Sequence, residues 1–135
     1  MRASGTFEVV AFEPAPVVPV PEVTTALPVG VATIEKRYAG EVEGRSATLF
    51  TSAFDQAAGV GTYVAMESFE GSLHGRAGAF NFVHSATTTG ANREAEYFMI
   101  VPSSGTDELA GIAGTGSMTI ETDGTHRITF DYTLP

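Results

Sequence analysis

Between Tyr63 and Thr87 apolar and polar residues alternate on both sides of one two-residue turn, and this stretch constrains the fold more than any other. His74-Gly75 suits a primed turn, the type hairpins favour because its twist matches that of the flanking strands. With the turn there, Leu73 faces Arg76, Gly71 faces Gly78, Phe69 faces Phe80, Glu67 faces Phe82 and Ala65 faces His84. Strand side chains point alternately to opposite faces. Tyr63, Ala65, Glu67 and Phe69 therefore share a face with Phe80, Phe82, His84 and Ala86. That face is apolar except for Glu67 and His84, which become diagonal neighbours. The other face mixes Val64, Met66 and Val83 with Ser68, Asn81 and Ser85.

The rest of the chain reads as strands added to this hairpin. Gly5 to Phe12 is β-rich, with an alternation that breaks after Val9. Glu13 to Gly30 holds five of the seven prolines, so it is neither a helix interior nor a central strand. Val17, Val18, Val20 and Val23 interleave those prolines. The stretch is expected to be a long extended loop, either a lid over one barrel end or a segment lying flat on the wall or at a subunit contact. Val31 to Val42 and Ser46 to Asp55 form a hairpin about Glu43-Gly44, which would pair Tyr38 with Leu49 and set Arg37 opposite Phe50 on the other face. Glu94 to Val101 is a further strand, with Tyr97 and Met99 on one face and Phe98 and Ile100 on the other. Thr106 is a suitable cap for one short helical turn at Asp107 to Leu109. Gly114 to Glu121 and His126 to Leu134 close about Asp123-Gly124, placing Ile128, Phe130, Tyr132 and Leu134 on one face.

No apolar pattern at helical spacing runs for a useful length. The fold class expected is all-β: an eight-stranded antiparallel β-barrel with minimal helix, with a sandwich as the alternative. Closure removes the exposed edges that such a sheet would otherwise present. A length of 135 residues fits a single domain, 1–135. Cys is absent, which excludes disulfides, thiolate metal sites and a cysteine nucleophile. The net charge of −9, with Lys36 the sole lysine, argues against partners that present phosphate backbones or anionic membranes. The start of the chain runs directly into a strand pattern without a signal-peptide core, so a cytoplasmic location is expected.

Several stretches resemble a bacterial family known only as domain of unknown function 3224. They are GTFEV at Gly5 to Val9, YAGEVEG at Tyr38 to Gly44, FEGSLHGRAGAFNFVHSAT at Phe69 to Thr87 and VPSSGTDELAGIAGTG at Val101 to Gly116, with TFDYTL at Thr129 to Leu134. Glu13 to Gly30 departs from the family by its richness in Val and Pro. The resemblance implies an allene-oxide-cyclase-like β-barrel and a homodimer. It implies no reaction. By analogy alone, the barrel type suggests a cavity that holds a small apolar molecule and a chemistry that needs no cofactor.

Glu67 and His84 are the candidate catalytic residues. A Glu on an apolar face resists ionisation and an adjacent imidazole opposes that, so the two titrate as a coupled pair suited to moving a proton. The alternative is a structural hydrogen bond between strands. Tyr63, Phe69, Phe80, Phe82, Tyr97, Phe130 and Tyr132 are the candidates for contact with a substrate. His74 and His126 read as solvated and Arg37 as a surface residue; three dispersed histidines give no zinc site. No nucleotide-binding glycine motif and no GxSxG elbow is present. The functional expectation is an isomerase, cyclase or lyase that is independent of cofactors and acts on a small apolar molecule. A carrier for such a molecule is the alternative.

Overall fold

The computed structural model describes residues 1–135. Eight antiparallel strands close in sequence order into a barrel: β1 (Arg2–Ala15), β2 (Val29–Gly40), β3 (Val42–Asp55), β4 (Val60–Leu73), β5 (Arg76–Thr89), β6 (Asn92–Ile100), β7 (Ala113–Ile120) and β8 (His126–Thr133). A single 3-10 turn, Asp107–Leu109, is the only helical element. No helix is long and apolar enough to cross a membrane.

The central hairpin forms in the register that its turn dictates. His74 and Gly75 both adopt positive φ, 50° and 78°, as a primed turn requires, and Phe69 meets Phe80 while Glu67 meets Phe82. The β2–β3 hairpin differs from expectation. Its turn is centred on Glu41, so Tyr38 meets Gly44 rather than Leu49 and Arg37 meets Arg45 rather than Phe50. Gly40 supplies the turn with a φ of 108°. Gly44 is committed elsewhere: it faces Gly71 on β4, where a Cβ would collide with the Glu70 carbonyl. The new register exchanges the faces of β3. Leu49 points outward, while Ser46, Thr48 and Phe50 point into the barrel opposite Lys36, Ile34 and Ala32.

The proline-rich loop is shorter than expected. β1 continues to Ala15 and β2 begins at Val29, leaving residues 16–28 between them. Pro14 is tolerated in β1 because beyond Phe7 that strand pairs only with β2, and its other edge needs no N–H. Val18 and Val20 are 72% and 92% exposed, so the connection stands away from the barrel as an arm.

The interior has two unlike halves. At the end formed by the β4–β5 turn, Leu109 and Ile112 from the segment after β6 plug the barrel against Val42, Leu73 and Tyr132. Thr106 reinforces the plug, but not as a helix cap: its hydroxyl accepts a bond from Ala79 N. Gly78 makes room for the plug, since a Cβ there would meet the Thr106 carbonyl and the Leu109 side chain. Phe69, Phe80, Phe82 and Phe130 extend this packed half, with Phe80 and Phe82 each edge-on to Phe130. The other half is lined but not filled.

Candidate functional site

A layer of buried polar side chains separates the two halves, and Glu67 is its centre. Inward alternation on four adjacent strands delivers its members: Lys36 and Tyr38 from β2, Ser46 from β3, Glu67 from β4 and His84 from β5. Glu67 is wholly buried and makes four side-chain hydrogen bonds. Oε2 accepts from Lys36 Nζ at 2.7 Å and from His84 Nε2 at 2.5 Å; Oε1 accepts from the Tyr38 hydroxyl at 2.7 Å and Ser46 Oγ at 2.8 Å. Burial by itself would raise the Glu67 pKa, but the His84 bond and the Lys36 charge outweigh it and bring it down to about 2. Tyr38 is pushed far up by burial and by the carboxylate, so it stays a donor.

The direction of the His84 bonds follows from this. Burial lowers the His84 pKa despite the neighbouring carboxylate, so the ring is neutral at pH 7. Lys36 is then the cation that keeps Glu67 ionised. A carboxylate only accepts, so Nε2 carries the ring proton and Nδ1 has a free lone pair. The Tyr63 hydroxyl lies 2.8 Å from Nδ1 and donates to it, while the Tyr63 oxygen accepts from Arg93 Nη2 at 2.6 Å. Arg93 is held in turn by Glu96 at 2.6 Å. Donation therefore runs in one direction, from Arg93 through Tyr63 and His84 to Glu67. Burial raises the Tyr63 pKa and Arg93 draws it back.

Above this layer lies a cavity of about 730 Å³, opening at the barrel end opposite the plug. Its apolar wall includes Phe7, Phe12, Ile34, Phe50, Phe54 and Met118; its polar lining includes Lys36, Thr48, Tyr63 and His84, together with Ser52, Arg93, Glu96 and His126. A smaller space of about 180 Å³ reaches His84 from the side, between β6 and β7. Those two strands are joined through a single residue pair, Met99 with Thr115. Another depression, of about 600 Å³, lies over the outer face and is rimmed by Glu13, Glu35, Arg45 and Glu70. Arg45 and Glu70 on that rim are exposed and already paired with each other. The buried cluster is the better candidate, because it alone combines desolvated charge with enclosure.

The structure joins Glu67 to His84, as the diagonal pairing requires. It also places Glu67 beneath the cavity wall, outside its lining, with both oxygens occupied by neighbouring donors. Of the expected substrate contacts, Tyr63 lines the cavity. Phe69, Phe80, Phe82, Phe130 and Tyr132 belong to the packed half, because the plug and their mutual ring contacts fill it. Tyr97 is outside, 51% exposed, since alternation with Phe98 and Ile100 sends it outward. Tyr132 instead bonds His74 Nδ1 at 2.7 Å near the closed end, and His126 stacks on Phe7 at the cavity wall. Arg37 is exposed beside Glu35. Nowhere do three His, Cys, Asp or Glu side chains group to hold a metal ion. Reading the sequence missed Lys36, Thr48 and Arg93. Lys36 had a signal: it falls in step with Ile34 and Tyr38 on an otherwise apolar face. Arg93 had none, because an extra residue on β6 between Glu94 and Tyr97, where Ala95 takes a positive φ, re-aims the start of that strand.

Comparison with known proteins agrees with this architecture. The profile of a family described as protein of unknown function (DUF3224) matches residues 3–132. The chain belongs to that family. A crystal structure of a DUF3224 protein of unknown function from Shewanella oneidensis MR-1 superposes with a TM-score of 0.82 at 31% identity, covering 100% of this chain and 98% of that one. No curated protein matches the chain. The analogy to allene oxide cyclases draws no support from these matches.

Two outcomes follow from the buried cluster. Lys36→Met strands the Glu67 charge and should cost about 3–5 kcal/mol in urea unfolding, whereas Lys36→Met with Glu67→Gln should recover much of it. The second concerns acid. A carboxyl whose pKa falls from 4.5 unfolded to about 2 folded stabilises fully above pH 4.5 and loses that contribution as pH falls toward 2. The stability difference between the parent and Glu67→Gln should therefore shrink steadily across that window. A difference independent of pH would show that Glu67 is not ionised in the fold.

Proposed function

We propose that this DUF3224 barrel takes a small, largely apolar molecule into its open half and moves a proton on it, as a cofactor-independent isomerase, cyclase or lyase. The observation that carries this reading is the one-way hydrogen-bond chain from Arg93 through Tyr63 and His84 to Glu67, set against an apolar cavity. Tyr63 can pass its proton to His84 Nδ1. The resulting phenolate lies beside the Arg93 guanidinium, and the imidazolium keeps its Nε2–H on the Glu67 carboxylate. A phenolate so placed accepts a proton from a substrate C–H, and the imidazolium supplies one back. Tyr63 and His84 are the acid–base pair in this reading, and Glu67 holds the ring and stabilises its charged form. The aromatic walls restrict the ligand to few conformations, which lowers the entropic part of the barrier.

The test uses 5-nitrobenzisoxazole, which opens to a coloured nitrile when a base removes its ring proton. The parent protein should catalyse that opening, and Tyr63→Phe or His84→Asn should each lower the rate about 10²–10⁴-fold. The double variant should lose little more than the worse single one, because groups acting as a unit are not additive. An apolar dye that binds the cavity while the benzisoxazole opens no faster than in buffer would point to a carrier instead.

We also propose that the barrel is a homodimer through its outer face. Leu49, Met66, Val83 and Met99 lie side by side across β3 to β6, and Leu49, Val64 and Met66 are 60%, 50% and 46% exposed. A contiguous apolar row of this kind is a contact surface in most soluble proteins. Sedimentation velocity should show a dimer at micromolar concentration, with Met66→Glu monomeric. A monomeric parent protein would end this reading.

A further inference from the structure

We infer that the cavity floor seats a carbonyl oxygen on Lys36 Nζ and Thr48 Oγ1, so that the molecule taken in is an apolar ketone or aldehyde. The identification of the ligand class rests on the reading of the open half as a small-molecule site. Thr48 Oγ1 is the one buried side-chain polar atom without a hydrogen-bond partner, and Thr48 is only 3% exposed. A buried hydroxyl left unsatisfied is uncommon and needs a reason. Lys36, 5% exposed, uses one of its three donors on Glu67 and rests its ammonium 5.0 Å from the centre of the Phe7 ring. Both residues line the cavity. Thr48 faces Ile34 on β2 and Glu67 on β4, so it projects into the layer where Lys36 meets Glu67.

This layer holds more donor protons than acceptors, since two Lys36 protons and the Thr48 hydroxyl proton have no partner. Glu67 already receives four hydrogen bonds, so an alcohol seated here could give its proton only to Thr48 Oγ1, and the Thr48 proton would then have no acceptor if the alcohol oxygen is taken by Lys36. A carboxylate would supply acceptors but would add uncompensated charge. Lys36 balances Glu67, Arg93 balances Glu96 and His84 is neutral at pH 7. Adding a desolvated anion to a balanced site is costly. A carbonyl oxygen accepts two bonds and carries no charge. In the proton-transfer reading the same two donors have a second use. When the α C–H bond breaks and its proton goes to the Tyr63 phenolate, the electron pair moves onto the carbonyl oxygen. Lys36 and Thr48 then hold the enolate, and the proton returns at carbon. Donors fixed where charge develops are an effective form of rate acceleration.

Three naphthalenes of similar shape separate the alternatives: 2-acetylnaphthalene, 2-ethylnaphthalene and 2-naphthoate, each measured by fluorescence titration. The ketone should bind most tightly, although the ethyl compound is the more hydrophobic. Thr48→Val removes the hydroxyl at nearly constant volume. It should weaken the ketone about three- to tenfold and leave 2-ethylnaphthalene unchanged. Infrared spectra of the bound ketone should show a carbonyl stretch at lower frequency than in hexane, moving back upward in Thr48→Val. Lys36→Met with Glu67→Gln, which keeps the layer neutral and guards against unfolding, should abolish the preference for the ketone. If 2-ethylnaphthalene binds as tightly as the ketone, or Thr48→Val weakens both equally, the oxygen seat is overturned while the cavity reading stands. Tightest binding of 2-naphthoate would replace the ketone by an acid and overturn the ligand class. If none of the three binds, the small-molecule reading itself falls and takes this inference with it.

Discussion

One ionised carboxylate without contact to water sets the terms for this barrel. Removing such a charge from solvent costs several kcal/mol even after the protein relaxes around it. Glu67 is tolerated because donors on three other strands meet it: Lys36 and Tyr38 on β2, Ser46 on β3 and His84 on β5. The requirement is geometric as well as electrostatic. A slip of one residue in any of these strands would turn its donor outward and leave the charge unpaired. The cluster therefore fixes the register of half the barrel, in addition to whatever chemistry it performs. It also fixes the imidazole. With Nε2–H held on Glu67, the other ring nitrogen can only face Tyr63 as an acceptor.

The two halves of the interior answer to different physics. The closed half is ordinary apolar packing, with Leu109 and Ile112 brought in from a loop and glycine at position 78 to let them approach. The open half has no such plug. There β1 is unpaired on one side beyond Phe7, β6 and β7 touch through one residue pair, and the proline-rich arm stands clear. Fewer ladder bonds and fewer buried contacts make the open half the part with the lower local stability. It is also the half that a ligand must enter.

Much of the fold was legible in the sequence because local chemistry decided it. His74-Gly75 and Asp123-Gly124 place two hairpins, and strict alternation around the first predicts every one of its named residue pairs. The β2–β3 hairpin was misread because Glu43-Gly44 looks like a turn, whereas Gly44 is needed for its approach to Gly71 on a strand not yet in view. That error hid part of the site. In the expected register Leu49 shares the face of Tyr38, so neither Ser46 nor Thr48 belongs with Glu67. In the same way, alternation finds the inward aromatics but not which of them face empty space. That depends on the plug from the segment after β6, a tertiary fact with no local signature.

The contrast between the halves bears on whether the polar layer is structural. Buried ion pairs can often be replaced by packed apolar residues with no loss of stability and sometimes with a gain. This chain has such packing one layer away, where Phe80, Phe82 and Phe130 fill the barrel without polar atoms in their side chains. Stability alone therefore gives little reason to place Lys36, Glu67 and His84 across the interior, and less reason to leave the Thr48 hydroxyl unpaired beside them. An unpaired buried hydroxyl costs about 1–3 kcal/mol, which exchange for valine would remove. These costs coincide in one layer, and that layer borders the cavity. Proteins retain local destabilisation of this kind where activity requires it. The unsatisfied donor, the buried charge and the open barrel end together mark one site, and its unmet need is an acceptor from outside the chain.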